Sequence, residues 1–381
     1  MTRTAICLAL VAMTLAACRP RIDPGDPLRG LTRDERARFD RGRVVFDSVF
    51  TPETGVGPLF NAAACGACHE NPVSGGAGDE IEIHAAIVRP GGFCDPLVAE
   101  GGPVFQTVVT PALRDSLGID REPVPADAPR GLRSSPAVFG RGLLDAVPDS
   151  VILALADPDD TDGDGISGRP NRFFDGRLGR FGRKALIPTL RDFNAGAFVI
   201  EQSVTNPAAP DENTIGGRPI PPGVDPVPEP ELDQASLDLT DDFVRFLGAP
   251  TPLRAGREAR TGRAVFERIG CTACHVPSLP TGDSPVRALH RTTVAAYSDL
   301  LLHDMGQHLA DICLGLAAPE EFRTEPLIGL RLLPRFLHDG RATTLEQAID
   351  LHGGEAAASR DRFQSLSAED RAALLAFLRT L

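Results

Sequence analysis

Tryptophan is absent from this 381-residue sequence, and tyrosine occurs once, as Tyr297. A mechanism that relays electrons through tryptophan is thereby excluded. Positive charge is also in deficit: 39 Lys and Arg face 52 Asp and Glu, a formal net charge of −13. That balance argues against nucleic acid as a partner and against electrostatic attraction to anionic lipid. It leaves a basic redox partner open. Methionine is scarce, and Met305 is the only one beyond the apolar N-terminal segment. Apolar residues at 42% and charged residues at 24% are close to globular averages, so the chain can build substantial cores.

The first eighteen residues read as an export signal and not as part of the fold. Arg3 precedes an apolar run over 5–15, too short to span a membrane stably, and small residues follow. The ending Leu15-Ala16-Ala17-Cys18 resembles the bacterial lipobox, in which the cysteine becomes the lipidated first residue of the mature chain. Acyl chains on Cys18 would hold an otherwise soluble protein at a membrane surface. Arg19, where an Asp would retain a lipoprotein at the inner membrane, favours the outer membrane. An exported, periplasmic setting is expected, with the membrane contacted through the lipid anchor only.

Two short stretches carry the chemistry. Residues 65–69 read CGACH and residues 271–275 read CTACH. In Cys-x-x-Cys-His two thiols can add to the vinyl groups of haem while the adjacent histidine ligates the iron. A zinc site would bring its cysteine pairs close together in a short module. A redox dithiol would want a βαβ context, and a structural disulfide has no use for the histidine. Two such motifs in an exported chain predict two covalently bound haem c groups. Cys65, Cys68, Cys271 and Cys274 are the attachment residues; His69 and His275 are the proximal ligands. Cys94 and Cys313 remain, and an oxidising compartment permits either a disulfide or two buried thiols.

The motifs belong to an internal repeat. GRVVF (42–46) precedes the first and GRAVF (262–266) the second. LTDDFVRFL (239–247) is similar to LSAEDRAALLAFL at the C-terminus, each starting a helix from a cap residue, Thr240 or Ser367. The expected fold is mainly α, two cytochrome c-like domains with long loop insertions. The N-terminal domain covers 28–250 and the C-terminal one 251–381, with Pro250 and Pro252 ending the helix between them. EIEIHAAIV (80–88) alternates like a strand, and the Pro-rich 206–233 reads as an extended surface loop, a candidate for mobility.

DTDGDGISGRPN (160–171) nearly matches a calcium loop. It offers Asp160, Asp162 and Asp164, the Ile166 carbonyl and Asn171, with glycines allowing the wrap. A flexible acidic turn is the competing reading.

Several longer motifs, among them GRGLLDAVPDSVILALADPDDTDGDGISGRPN, YSDLLLHDMGQHLAD and FLHDGRATTLEQAI, resemble the bacterial di-haem oxidoreductases with two C-x-x-C motifs. These are often labelled thiol oxidoreductases, and the resemblance extends to di-haem cytochrome c peroxidases. It covers nearly the whole mature chain. It implies His352 as distal ligand of the second haem and His84 as distal ligand of the first. It also implies Glu201 as the acid/base carboxylate of a peroxide-handling site, the competing reading being a solvated glutamate. Met305 is a further candidate ligand, with core packing as the competing reading, and His338 is a candidate for a propionate contact. Calcium between the haem domains is implied as well. The sequence departs from its relatives in reading EQSVT at 201–205 and Gly182-Arg183 where they have Gly-Trp. The function expected is peroxidase-like: one haem receives electrons from a donor such as a small cytochrome, the other reacts with a small oxidant such as hydrogen peroxide. A pure electron-transfer cytochrome and a redox partner in surface iron handling are the alternatives.

Overall fold

The computed structural model describes residues 21–381. The export signal and the anchor cysteine Cys18 lie outside the described residues. Among those described, no helix is long and apolar enough to cross a membrane.

Each half is organised around one pair of crossing helices. In the first, α1 (Arg33–Phe46) opens on a capping box: Thr32 caps the Glu35 amide and the Glu35 side chain returns to the Thr32 amide. A central strand, β1 (Ile81–Ala85), lies antiparallel between β2 (Val104–Phe105) and β3 (Arg130–Ser134). Then come α2 (Leu190–Gln202) and α3 (Gln234–Phe246). The second half pairs α4 (Arg257–Arg268) with α6 (Ala368–Leu378), with α5 (Leu345–Asp350) beside them.

The repeated GR(V/A)VF sequence has a physical cause. A Cβ on Gly42 would sit 2.0 Å from the Leu239 carbonyl oxygen of α3. A Cβ on Gly262 would sit 1.8 Å from the Ala373 carbonyl oxygen of α6. Both glycines mark the closest approach of a helix crossing, where no side chain fits. The phenylalanine closing each repeat, Phe46 or Phe266, packs 6.0 or 6.3 Å from the histidine of its own Cys motif. We expect Gly262→Ala to cost about 1–3 kcal/mol through overpacking. A urea midpoint equal to that of the unmodified protein would refute the close-approach explanation.

Three expectations change. Helix takes 30% of residues and strand 13%, so "mainly α" overstates the helical share. Thr240 is not a cap. Helix α3 is capped seven residues earlier by Asp233, whose side chain accepts the Ser236 amide, and the Thr240 hydroxyl bonds back to the Ser236 carbonyl. The core also ignores a boundary at 250. Leu279, Leu289, Val294 and Leu301 pack in one cluster with Phe39, Phe46 and Phe243. A second cluster joins Phe266, Phe363, Leu374 and Phe377 with Tyr297. The two Cys motifs are therefore partitioned into halves, while the apolar core is shared.

The halves are also tied covalently and electrostatically. Cys94 and Cys313 form a disulfide with Cα atoms 5.8 Å apart, which resolves the choice the sequence left open. Two residues from Cys313, the buried Asp311 pairs with Arg133 of β3 and, at 3.1 Å, with Lys184.

Candidate haem sites and their surroundings

At the first motif, Cys65–Cys68 form one helical turn, and the His69 amide closes it on the Cys65 carbonyl at 3.0 Å. His69 Nδ1 faces the Gly76 carbonyl at 3.3 Å. A carbonyl only accepts, so this contact places the proton on Nδ1 and leaves Nε2 available to a metal. Burial pushes the His69 pKa down, which keeps the ring neutral.

The C-terminal end of α2 is stitched to the loop ahead of this motif. The Asn61 amide bonds to the Glu201 carbonyl at 2.7 Å, the Gly57 amide to the Ser203 carbonyl at 3.0 Å, and the Ser203 hydroxyl to the Leu59 carbonyl. This fixes two side chains against the motif. Gln202 Nε2 donates to Cys65 Sγ at 3.2 Å, and the Glu201 carboxylate accepts from Asn61 Nδ2 at 2.9 Å. Asn61 is itself held by the Thr107 amide at 3.1 Å. Burial, and then the charge of Glu82, push the Glu201 pKa well above the ordinary carboxylate range. Glu82 rises to about 7, chiefly by burial and against the opposing field of Arg133. Glu201 is thus a largely buried carboxylate beside the Cys motif, not a solvated one. Its neighbour Glu82 carries no motif of its own, although alternation along EIEIH puts Glu82 and His84 on one strand face.

His84 occupies the middle of β1, opposite Val104 on one side and Gly131 on the other. Its Nε2 lies 3.1 Å from Glu82 Oε2. Burial, then Arg133, lower its pKa to about 3, while Asp311 of the second half opposes. The structure gives His84 a carboxylate partner; ligation through Nε2 would exchange that bond.

Behind α2, Gln106 Nε2 donates to the Ile200 carbonyl at 2.7 Å, and the Gln106 amide donates to Glu122 Oε2 at 2.9 Å. Glu122 is 1% exposed, and among the described residues its Oε1 has no hydrogen-bond partner. Burial raises its pKa from 4.5 to about 8. A carboxyl whose folded pKa exceeds its unfolded value stabilises the fold below the unfolded value and loses that contribution as pH rises through the folded one. From pH 4.5 to 8, Glu122 should therefore cost the protein on the order of 4 kcal/mol. Glu122→Gln removes the titration, so its stability advantage over the unmodified protein should grow with pH across this window in denaturant melts. A constant difference would show that Glu122 does not titrate there.

At the second motif, His275 Nδ1 lies 2.8 Å from the Tyr297 carbonyl, and His352 Nδ1 lies 2.7 Å from the Ala348 carbonyl of α5. Burial lowers both pKa values, that of His275 to about 4. Each ring is a neutral imidazole with Nε2 available. Cys271, Cys274, His275 and His352 line one largely apolar cavity, which with its mouth encloses about 1850 Å³.

Three other candidates reach this cavity. Met305 contributes to its wall. His303 is clamped by Asp299 at 2.8 Å on Nε2 and by Glu355 at 2.7 Å on Nδ1. Against the penalty of burial, these bonds raise its pKa to about 12. Both ring nitrogens are engaged by carboxylates, which favour the protonated ring. His338 stacks on Phe322, with ring centroids 4.2 Å apart, and its Nε2 is 3.6 Å from Asp311.

The carboxylates of Asp160, Asp162 and Asp164 converge within 4.8 Å of one another, a donor set suited to a hard divalent cation. Asn171 does not join them. It is fully buried; its Nδ2 donates to the Lys184 and Leu314 carbonyls, and its Oδ1 accepts from the Arg172 and Leu316 amides. Tertiary hydrogen bonds have claimed the group that loop spacing would make a ligand. The Ile166 amide bonds to Asp164 at 2.9 Å, and the Ile166 side chain reaches the second cavity. Next in the chain, Ser167 donates twice to Glu355, which in turn holds His303.

The Pro-rich segment does more than run along the surface. Ile215 and Val224 are buried with Leu59 and Leu113, and Glu212, Asp225, Glu229 and Glu231 converge within 4.8 Å. Burial raises Glu212 and Glu231 to about 8. Prolines between the acidic residues concealed this convergence in the sequence.

The sequence profile described as "Di-haem oxidoreductase, putative peroxidase" matches residues 118–381, well over half of the chain. The chain belongs to the di-haem oxidoreductase family. The match begins downstream of the first Cys motif and contains the second. No curated protein matches the chain. Similar solved structures include hydrazine synthase of Kuenenia stuttgartiensis, at 14% identity, with 100% of each chain covered and a TM-score of 0.39. A MauG-like protein associated with microbial copper homeostasis has 17% identity, 95% and 93% coverage and a TM-score of 0.40. The diheme peroxidase BthA of Burkholderia thailandensis E264 has 15% identity, 95% and 89% coverage and a TM-score of 0.43. Likenesses of this extent carry no functional argument. Membership of the family implies two haem groups, and the donor sets fit. Each motif presents two thiols and one neutral imidazole whose Nδ1 is already satisfied by a backbone carbonyl.

Proposed function

We propose that this di-haem oxidoreductase is a peroxidase-like enzyme whose substrate-reactive haem is the one at Cys65, Cys68 and His69. The observation that carries the reading is Glu201: a largely buried carboxylate, anchored by Asn61 beside that motif, whose pKa burial pushes well above the ordinary carboxylate range. Haem iron supplies redox chemistry with a small oxidant such as hydrogen peroxide. The residues then have separate tasks. Glu201 moves a proton between the peroxide oxygens, and Asn61 orients it. His84 would serve as a displaceable iron ligand, with Glu82 competing for its Nε2. His275 and His352 hold the second, electron-receiving haem as a bis-histidine pair, which favours a lower potential than a methionine ligand would give.

The remaining assignments belong to the same reading. Both haems are attached covalently through the four motif cysteines. Asp160, Asp162 and Asp164, with the Ile166 carbonyl, hold calcium. The protein is exported and lipid-anchored through Cys18 at the periplasmic face of the outer membrane. A small donor such as a cytochrome supplies electrons.

His84 on the first-motif side also permits a second reading, an electron carrier with both irons six-coordinate. Low-temperature EPR of the as-isolated and half-reduced protein separates the two. A high-spin ferric signal that hydrogen peroxide alters supports the enzyme. Low-spin signals from both haems, unchanged by peroxide in either state, leave the carrier.

A further inference from the structure

Positive charge gathers at the second cavity. Arg141 and Arg183 of the first half and Arg323 of the second line it, and all three converge on one carboxylate, Glu325. Arg141 and Arg183 each reach a Glu325 oxygen at 2.9 Å. The three guanidinium side chains are 11%, 15% and 3% exposed. Three cations share one ion-paired carboxylate inside an apolar wall, with only the field of the more distant Glu82 on Arg183 to add to it, an arrangement that burial makes costly. Two further atoms point to a missing acceptor or donor. Arg323 Nε and Ser135 Oγ are buried without a hydrogen-bond partner among the described residues, and both side chains line the same cavity. Arg323 is 6% exposed and Ser135 4%.

Three guanidinium groups on one carboxylate and two orphaned polar atoms describe a receptor for a dicarboxylate. Forked guanidinium groups suit carboxylates in particular. Cys271, Cys274 and His275, in the wall of the same cavity, would attach a haem, and a haem carries two propionates. We infer that Arg141, Arg183 and Arg323, with Ser135, form the propionate cradle of the second haem, so that the first half of the chain sets the charge around the haem of the second. This rests on the di-haem reading proposed above. Haem loading then closes the seam between the halves, because two of the three arginines come from across it. The cradle also raises the potential of the second haem, since nearby positive charge favours the reduced, less positive iron.

The test is an EPR-monitored redox titration of the full-length protein. The second haem is assigned by its loss in a Cys271→Ser/Cys274→Ser variant, and two haems per chain are first confirmed by pyridine haemochrome. A stoichiometry below two would sink the di-haem reading itself, independently of the cradle. With two haems present, Arg183→Gln and Arg141→Gln should each raise the oxidised-to-reduced ratio of the second haem about tenfold at fixed poise, a fall of about 59 mV. Glu325→Gln should shift that ratio in the opposite direction. The first haem should shift less than the second in each of them. Opposite signs distinguish a cradle from a structural role, which would disturb the haem in one direction. No shift, shifts of one sign, or equal shifts of both haems would overturn the inference. Should the arginine variants fail to fold, Glu325→Gln decides alone: an upward shift supports the cradle, and no shift or a downward one refutes it. The unmodified protein is also titrated with added succinate. A potential that ignores succinate supports propionates, whereas one that follows it identifies a free dicarboxylate and refutes them.

Discussion

Replacing Glu201 by Gln should lower peroxide turnover by about two to four orders of magnitude, the range of a positioned general acid–base. The substitution keeps the size of the side chain and its reach to Asn61, so both haems should load normally and the visible spectra should hold. The loss then falls on turnover and not on cofactor content. Asn61→Ala makes a finer test. Asn61 donates to the charged carboxylate and so holds the Glu201 pKa lower than burial alone would set it. Without that bond the pKa rises further, and the corresponding limb of the pH–rate profile should move to higher pH. Undiminished turnover in Glu201→Gln would remove this residue from the chemistry.

Loss of the Cys94–Cys313 bridge should have the largest effect on stability. Its cysteines are 219 residues apart in sequence. Chain-entropy arguments give about 5 kcal/mol for closing so long a loop, growing with the logarithm of its length. The bridge also sits two residues from Asp311, whose pairs with Arg133 and Lys184 cross between the halves. A Cys94→Ser/Cys313→Ser variant should therefore lose both loop entropy and the register of that contact. Equilibrium urea unfolding without reductant measures it. An unchanged midpoint would show that the shared apolar core holds the halves without help.

What the sequence made legible was whatever repeats or is local. The two Cys motifs, the helices before them and the strand-like EIEIH segment are written in short spacings, and each appears in the structure. The GR(V/A)VF repeat was visible as a pattern, but its cause was not. Only the crossing partners Leu239 and Ala373 explain why a glycine must stand there. Thr240 misled because a threonine before two acids reads as a cap, while Asp233, about two turns earlier, caps the longer helix. Asn171 misled for the reason that spacing ignores competition: four hydrogen bonds, three of them to residues distant in sequence, consume the side chain. Glu82, the four carboxylates of the Pro-rich segment and the arginines around Glu325 were out of reach, since each group is assembled from residues far apart or separated by prolines.

The cysteines also impose an order of manufacture. On the proposed reading, a maturing chain must end with one distant pair oxidised and two neighbouring pairs still carrying free thiols for haem. Chance favours the reverse. Cys65 and Cys68, like Cys271 and Cys274, are within immediate reach of each other, whereas Cys94 must find Cys313 across more than half of the chain. An oxidising compartment closes short loops first. Production of this protein therefore depends on a thiol-reducing step ahead of haem attachment, and a host lacking one should accumulate folded, disulfide-trapped and colourless protein.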